Sequence, residues 1–218
     1  MRLAGAIVVL SCALASAAGA QGTHMGKPGM LIDEQDVLIE RIDRSKYKPI
    51  DINSLIGKFE MVDHNGRSVN NKTWPDQWLV VTFGFPGCRE SCPVALDTLS
   101  KSLELMGDEA KKIQPLFIDV SMDRKPAPTA MKQFLSNFDD RIMGLVGTRL
   151  QVNEMIRSFK IMRQYGMAGS PKETGPRINH TASLFIVDPE GRVRAVFPSD
   201  WPAERTVSTI KSTIEKTK

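Results

Sequence analysis

The stretch WLVVTFGFPGCRESCP, residues 78–93, contains a strand pattern followed directly by a pair of cysteines. Residues 79–85 are apolar, β-branched or aromatic except for Gly84, which is typical of a strand buried on both faces in the middle of a parallel sheet. Pro86-Gly87 predicts that the strand ends there. Pro93 favours the start of a helix, because the first turn does not need the N–H group that proline lacks.

Strand and helix patterns alternate on both sides of this stretch. The expected elements are a hairpin at 58–70, a helix from Pro93 to Gly107, a strand at 113–120, a helix at about 129–138, a strand at 142–146, a helix at 150–159, a hairpin of 181–187 with 192–197, and a helix at 203–216. A strand, a helix and a strand with short connections predict parallel pairing and a right-handed crossover. This order predicts an α/β, thioredoxin-like fold with an added N-terminal β-hairpin and an inserted helix and strand.

The composition is that of an ordinary globular protein. Of the 218 residues, 41% are hydrophobic and 25% are charged, and the formal net charge is +4. The sequence contains neither a block of lysine and arginine nor a basic stripe interleaved with aromatic residues, which argues against a nucleic-acid partner. The small positive charge is compatible with an acidic protein partner or with a negatively charged membrane surface.

Residues 1–20 have the pattern of a cleaved signal peptide. Arg2 supplies a positive charge, residues 3–18 are nearly all apolar or small, and Ala18-Gly19-Ala20 is a small-x-small cleavage site. This pattern predicts an exported protein, located in the periplasm or elsewhere outside the cytoplasm. A lipid anchor at Cys12 is the alternative that the same residues allow.

Three segments are therefore expected along the chain. The signal peptide at 1–20 is followed by a polar, weakly ordered arm at 21–48 and by a thioredoxin-like domain at 49–218. After cleavage the mature chain keeps two of its three cysteines, in a compartment that favours their oxidation.

Cys88 and Cys92 are separated by three residues at the predicted start of a helix. A structural disulfide is one interpretation, but a ring of about five residues stabilises a fold by only about 2 kcal/mol, less than a bridge between distant segments. Reactive thiols fit better, because a helix N-terminus and the neighbouring Arg89 both favour thiolates. Residues four apart at a helix start are also close enough to form a disulfide or to share a metal ion.

His180 is the candidate third residue of the site. It follows a long Gly/Pro-rich stretch at 166–178, of a kind that usually covers a site, and is expected at the head of the apolar strand that faces the cysteines. Thioredoxin-type oxidoreductases have two residues between their cysteines and a cis-proline near this position; here the spacer has three residues and the nearest proline is Pro176. Two thiolates and one imidazole suit copper, as Cu(I) or Cu(II), whereas zinc would usually need a fourth protein ligand.

Other side chains with copper-binding chemistry are weaker candidates. His64 lies in a hairpin turn and is expected to be solvated, and His24 would need cleavage one residue late to form an amino-terminal Cu(II) site. Met122, Met162 and Met167 lie in or near predicted loops. The thioether of Met167 could add a ligand, but we favour ordinary packing for all three.

Four segments resemble the Sco/SenC family. They are FEMVDHNGRSV at 59–69, LVVTFGFPGCRESCP at 79–93, PLFIDVSMD at 115–123 and NHTASLFIVDPEGRV at 179–193. Members of this family are copper-binding, thioredoxin-fold proteins implicated in building the binuclear copper centre of cytochrome c oxidase. The resemblance covers about residues 55–215 and implies that Cys88, Cys92 and His180 are copper ligands. It also implies a copper-site partner such as a cytochrome c oxidase subunit, with another copper chaperone or a thiol reductant as a further partner.

The chain departs from the usual family pattern near the expected ligands. The family usually has Pro-Asp between its cysteines, where this chain has Arg89-Glu90. An Asp commonly precedes the ligand histidine, and here the residue is Asn179, which removes a charge that could tune the imidazole. The Asp-Pro expected after the second buried strand is replaced near Ser121-Met122.

Two functions remain open from the sequence. The first is a copper metallochaperone, which is not an enzyme; the second is a thiol–disulfide oxidoreductase that uses Cys88 and Cys92 as a redox-active pair on a partner copper site. His180 separates them, because copper transfer needs it and disulfide exchange does not. A peroxidase of the peroxiredoxin type is disfavoured, because such enzymes usually carry a Thr where this chain has Phe85.

Overall fold

The computed structural model describes residues 52, 55, 57–121, 127–165, 178–180 and 182–217, with 163–165 and 178–180 described as backbone only. Several expectations fall outside these residues: the signal peptide at 1–20, the arm at 21–48, His24, Met122, Met167 and the Gly/Pro-rich stretch up to residue 177.

A mixed seven-stranded sheet forms the centre of the described residues. Its strands are β1 (Glu60–Asp63), β2 (Ser68–Asn70), β3 (Trp78–Gly84), β4 (Ile113–Asp119), β5 (Met143–Val146), β8 (Ser183–Val187) and β9 (Val193–Pro198). A separate two-stranded ribbon contains β6 (Arg163–Tyr165) and β7 (Ile178–His180). The helices are α1 (Ser91–Met106), a short 3-10 helix (Gly107–Lys112), α2 (Pro128–Leu135), α3 (Arg149–Ser158) and α4 (Ala203–Lys216).

Strand β3 lies inside the sheet, whose order is β2-β1-β5-β4-β3-β8-β9. It pairs in parallel with β4, from Trp78 opposite Ile113 to Gly84 opposite Asp119, and antiparallel with β8. All residues of β3 are buried, because helices cover both faces of the sheet here. The predictions of a doubly buried strand and of a parallel β3–β4 pair are confirmed.

Two apolar cores lie on the two faces of the sheet. Helices α1, α2 and α4 pack on one face together with Val80 and Phe117, and α3 packs on the other with Val81 and Phe83. The apolar residues that α1 buries in this core are Ala95, Leu96, Leu99, Leu103 and Met106. None of the described helices is long and apolar enough to span a bilayer.

The predicted additions to the fold are present. The hairpin of β1 and β2 joins the sheet through β5, since β1 pairs antiparallel with β5 and β5 pairs in parallel with β4. Helix α2 and strand β5 therefore form the predicted insertion, although α2 ends at Leu135, earlier than expected. The hairpin of β8 and β9 and the closing helix α4 lie where the sequence predicts them.

The turn of the first hairpin is held by Asp63, whose side chain is buried. Its Oδ1 accepts hydrogen bonds from the N–H groups of Asn65 and Arg67 at 2.8 and 2.9 Å, and its Oδ2 accepts one from Arg67 Nε at 2.8 Å. Burial by itself raises the pKa of Asp63, but these hydrogen bonds outweigh it and hold the pKa below its usual range. Gly66 supplies the left-handed φ of 84° that the turn requires.

The turn between β8 and β9 repeats this arrangement, because residues 188–192, DPEGR, share the pattern D-x-x-G-R with residues 63–67, DHNGR. Asp188 is buried, and its Oδ1 accepts the N–H of Arg192 at 2.8 Å. Its Oδ2 accepts hydrogen bonds from Arg192 Nε at 3.0 Å and Arg194 Nε at 2.6 Å. Both segments are predicted as turns, and the buried aspartate in each is what the structure adds.

His64 corrects an expectation, since it is half-buried rather than solvated. Its backbone N–H donates to Gly144 O at 2.9 Å, and its ring Nδ1 accepts the Gly144 N–H at 3.1 Å. Burial lowers the pKa of His64; the charges of Lys132 and Arg67 lower it further and that of Asp63 opposes them. The neutral ring therefore fastens the first hairpin to β5.

Candidate metal centre

The cysteine loop begins with a tight turn at the end of β3. The N–H of Cys88 donates to Phe85 O at 3.0 Å, which closes a turn with Pro86-Gly87 at its centre. The strand break predicted from these two residues is confirmed, and the turn places Cys88 directly before α1.

Helix α1 begins at Ser91, two positions before the predicted start at Pro93. The residue at the cap position, Glu90, makes no side-chain cap hydrogen bond. Instead, Cys88 Sγ accepts the N–H of Cys92 at 3.3 Å, so a cysteine sulfur satisfies one of the free N–H groups of the first turn. Helix N-termini favour negative charge, so this position suits a thiolate or a metal-bound sulfur.

The two cysteines are thiols, not a disulfide, and they differ in exposure. Cys92 is 2% exposed, whereas Cys88 is only half-buried. The hydrogen bond with Cys88 and then burial raise the pKa of the Cys92 thiol far above its usual range, against smaller opposing hydrogen bonds from the Phe85 backbone and the Ser91 side chain. Cys92 is therefore the inner sulfur of the pair, and Cys88 is the outer sulfur, which is more accessible to solvent.

The sulfur of Cys92 lies in a niche left by Gly84, the last residue of β3. A Cβ atom at Gly84 would lie 2.5 and 2.6 Å from two ring carbons of Phe117 and 2.7 Å from Cys92 Sγ. Any larger residue at position 84 would therefore collide with the ring and the sulfur together. Glycine here is a packing requirement of the cysteine pair, in keeping with the general role of glycine inside strands.

The carboxyl end of β4 brings Asp119 beside this niche. Asp119 is in register with Gly84, and it shares a sheet face with Phe117 because residues two apart in a strand point to the same side. Its Oδ1 accepts hydrogen bonds from the N–H and the hydroxyl group of Ser121 at 2.8 and 2.6 Å. A carboxylate thus lies at the same edge of the sheet as the cysteine loop.

The residues between the cysteines differ in their contacts. Arg89 and Glu90 are exposed. The Ser91 hydroxyl lies 3.6 Å from Cys88 Sγ, a separation within the longer range of contacts that sulfur makes. The sequence did not identify Ser91 or Gly84 as site residues. A single glycine in a buried strand is nevertheless a signal that another group packs closely against the backbone there.

His180 lies in a different element from the one predicted. It ends β7, where its backbone is in register with Arg163 of β6, and the strand that pairs with β3 begins only at Ser183. The short ribbon of β6 and β7 is therefore separate from the main sheet. The chain nevertheless enters β8 at the edge where β3 ends, since Thr82 Oγ1 donates to Ser183 O at 3.3 Å. The ligand role of His180 stays a prediction.

Within the described residues, no group of three or more His, Cys, Asp or Glu side chains is gathered so that it could hold a metal ion. The described part of the site is thus the pair of thiols at the start of α1. Its chemistry fits a soft ion, because sulfur donors favour Cu(I) over harder cations.

Comparisons with known proteins agree with this architecture. The SCO1/SenC family model matches residues 48–215. Protein sco1 of Schizosaccharomyces pombe is 25% identical over 194 residues, which cover 88% of this chain and 73% of that protein. Protein SCO2 of Saccharomyces cerevisiae is 28% identical over 167 residues, which cover 74% of this chain but only 54% of that protein.

Solved structures show the same fold. The structure of Bradyrhizobium japonicum ScoI with copper bound is 28% identical with a TM-score of 0.64, and covers 73% of this chain and 99% of that one. Yeast Sco1 with copper bound is 26% identical with a TM-score of 0.66, and covers 74% of this chain and 89% of that one. The predicted thioredoxin-like fold is confirmed, and the family match extends over most of the sequence. The chain belongs to the SCO1/SenC family.

Proposed function

We propose that this protein is an exported copper metallochaperone, which carries copper on Cys88, Cys92 and His180 to a partner copper site. The binuclear centre of cytochrome c oxidase is the expected kind of site. The observation that carries this proposal is the pair of thiols held together at the start of α1. Two relatives that share the fold at more than a quarter identity are solved with copper bound, which supports the same cargo here.

The different exposure of the two thiols suits a carrier. Copper binding replaces the protons of both thiols, so uptake releases protons and becomes stronger as pH rises. Cys92, which is buried against Phe117, forms the inner donor, and the half-buried Cys88 forms the outer one. A partner ligand can reach the outer sulfur first, and copper can then pass by exchange of one ligand at a time.

The proposed third ligand is supported by topology. His180 ends β7 only three positions before β8, the strand whose first residue contacts Thr82 near the end of β3. Two thiolates favour Cu(I), and an added imidazole nitrogen also favours Cu(II), so one site with all three ligands can bind copper in both oxidation states.

Copper titration of the reduced protein tests the ligand set. Wild type is expected to bind one copper per chain and, loaded with Cu(II), to show an intense thiolate-to-copper charge-transfer band. His180→Ala is expected to weaken binding by more than about 100-fold, because losing groups that only orient a ligand already costs about 10- to 100-fold. His64→Asn is the matched control, since it removes a histidine on the first hairpin and keeps an oxygen acceptor for Gly144.

One result of the titration would contradict the proposed ligand set. If His180→Ala binds copper as tightly as wild type and shows an unchanged band, the proposed three-residue site is wrong. Cys88→Ser and Cys92→Ser should each weaken the band and lower the copper affinity, since each removes one of the two sulfur donors. A band and an affinity that either substitution leaves unchanged would place the copper elsewhere.

Export is proposed from the pattern of residues 1–20. Expression of the full chain in a bacterium with a periplasm should yield a mature protein that begins at Gln21, and intact mass spectrometry measures this directly. A periplasmic protein that retains residue 1 would contradict cleavage. A lipid-modified protein that begins at Cys12 would establish the alternative anchor.

The unequal exposure of the two thiols also favours a second candidate function, reduction of a partner disulfide. Cys88 as thiolate would attack one partner sulfur and release the other, and Cys92 would then attack the mixed disulfide after losing its proton. The chain would lose two electrons in forming a Cys88–Cys92 disulfide, and the partner would gain them as two thiols. His180→Ala should leave this reaction intact while it weakens copper binding, so the same variant separates the two candidates.

A further inference from the structure

Ser91 is a polar residue in the cysteine loop that the proposed ligand set does not use. It is the first residue of α1, it is exposed, and its Oγ lies 3.6 Å from Cys88 Sγ. The same sulfur also accepts the N–H of Cys92 at 3.3 Å. The outer sulfur therefore accepts one hydrogen bond from the backbone and also contacts the hydroxyl group of Ser91.

The direction of the Ser91 contact follows from the state of the sulfur. A neutral thiol can donate or accept, whereas a thiolate or a copper-bound sulfur has no proton and can only accept. The serine hydroxyl rotates freely about its C–O bond and can turn its proton towards Cys88. When Cys88 is a thiolate or is bound to copper, the hydroxyl is therefore the donor.

We infer that Ser91 is a positioning residue of the cysteine pair: its hydroxyl holds the Cys88 sulfur against the N-terminus of α1 and stabilises the dithiol relative to the Cys88–Cys92 disulfide. A disulfide sulfur carries less negative charge than a thiolate and is a weaker acceptor. Hydrogen bonds to Cys88 thus favour the reduced form, which is the form that binds copper. The copper part of this inference rests on the proposed function, whereas the redox part concerns the metal-free protein.

A redox equilibrium with dithiothreitol tests the inference without copper. In this reaction the protein dithiol and oxidised dithiothreitol give the protein disulfide and reduced dithiothreitol, with two electrons and two protons transferred. Ser91→Ala is expected to shift the equilibrium about threefold towards the disulfide, within the modest range of a single hydrogen bond. At 29.6 mV per tenfold, threefold lowers the reduction potential by about 14 mV.

Two further variants make the comparison specific. Ser91→Thr keeps the hydroxyl and should restore the wild-type equilibrium to within experimental error. Ser212→Ala removes a serine hydroxyl from α4, where it donates to Thr209 O at 3.2 Å, and should change nothing. Alanine suits the first position of a helix, so Ser91→Ala is expected to fold normally, and far-UV circular dichroism checks this.

The inference is overturned if Ser91→Ala has the wild-type potential, or if Ser91→Thr or Ser212→Ala shifts it as far as Ser91→Ala does.

On the copper-loaded protein, Ser91→Ala should also move the charge-transfer band to longer wavelength, because a sulfur that loses a hydrogen bond is a stronger electron donor. If wild type binds no copper, the proposed function fails, and the metal-free equilibrium still decides the role of Ser91.

Discussion

Gly84→Ala is expected to lower the free energy of unfolding by about 3 kcal/mol, at the upper end of what overpacking a core costs. The new Cβ would lie 2.5 Å from a ring carbon of Phe117 and 2.7 Å from Cys92 Sγ. Neither group has room to retreat, because Phe117 is fully buried and Cys92 is 2% exposed. Urea denaturation followed by circular dichroism measures the loss.

Two variants identify the cause of this loss. Gly87→Ala lies in the turn that follows β3, where a Cβ would meet only the Phe85 ring at 3.4 Å, and it should change stability by less than about 0.5 kcal/mol. Phe117→Leu in the Gly84→Ala background removes the ring atoms that collide and should recover part of the lost stability. A stable Gly84→Ala protein, or a double variant that is less stable than the two single changes predict, would contradict the packing argument.

The same substitution connects packing with the proposed copper site. Displacement of Cys92 Sγ from the Gly84 niche would move the inner sulfur away from Cys88. Copper affinity should therefore fall in Gly84→Ala protein that is still folded, and it should stay at the wild-type level in Gly87→Ala. Unchanged affinity in the folded Gly84→Ala protein would mean that the niche does not set the position of the sulfur.

Asp188→Asn is expected to cost about 2 to 3 kcal/mol at neutral pH, because it removes the charge of a buried carboxylate that accepts three hydrogen bonds. Both carboxylate oxygens accept hydrogen bonds, from the N–H and Nε of Arg192 and from Arg194 Nε. An asparagine amide would turn an NH2 group towards one of these donors. Urea denaturation of the variant and of wild type measures the difference.

The pH dependence of this difference has a definite sign. Burial by itself raises the pKa of Asp188, but the hydrogen bonds from Arg192 and Arg194 outweigh it and hold the pKa below the ordinary value of 3.8. A carboxylate with a lowered pKa in the folded state contributes stability above its unfolded pKa, and this is lost as pH falls through the folded pKa. The difference in the free energy of unfolding between wild type and Asp188→Asn should therefore be largest at neutral pH and should disappear under strongly acidic conditions.

Glu190→Gln is the matched control for Asp188→Asn. Its carboxylate also pairs with Arg192, at 3.1 Å, but the Glu190 side chain is 62% exposed, so the pair should contribute less than about 1 kcal/mol. Equal losses in the two variants would show that burial of the carboxylate is unimportant. A gap for Asp188→Asn that stays constant down to about pH 3 would show that its charge is not the cause.

Patterns local to the chain were sufficient for most of the fold. The apolar run that became β3, the apolar side of α1 and the final helix α4 were all predictable, because their periodicity reflects which residues face a core. The turns at 63–67 and 188–192 were also predictable as turns. Their repeated pattern D-x-x-G-R is visible in the sequence and could have indicated that both aspartates are buried.

Some features near the site could not be predicted in this way. Helix α1 begins at Ser91, before the predicted start at Pro93, because Cys88 Sγ accepts a hydrogen bond that a side-chain cap would normally accept. His64 was expected to be solvated, but it accepts a hydrogen bond from Gly144, which is far away in sequence. His180 was expected at the head of the strand that faces β3, and it lies instead in the ribbon of β6 and β7.

The WLVVTFGFPGCRESCP stretch separates the features that local sequence determines from those that depend on tertiary structure. The sequence by itself determined a buried strand, a tight turn and two cysteines at a helix start, because neighbouring residues decide these features. Only the tertiary structure decided that Cys92 is the inner sulfur and that it occupies the niche of Gly84 against Phe117. That contact depends on the register between β3 and β4, which brings Gly84 opposite Asp119 and therefore close to Phe117. The register between β3 and β4 depends on which residues of both strands pack into the cores, and residues 78–93 contain only one of the two strands.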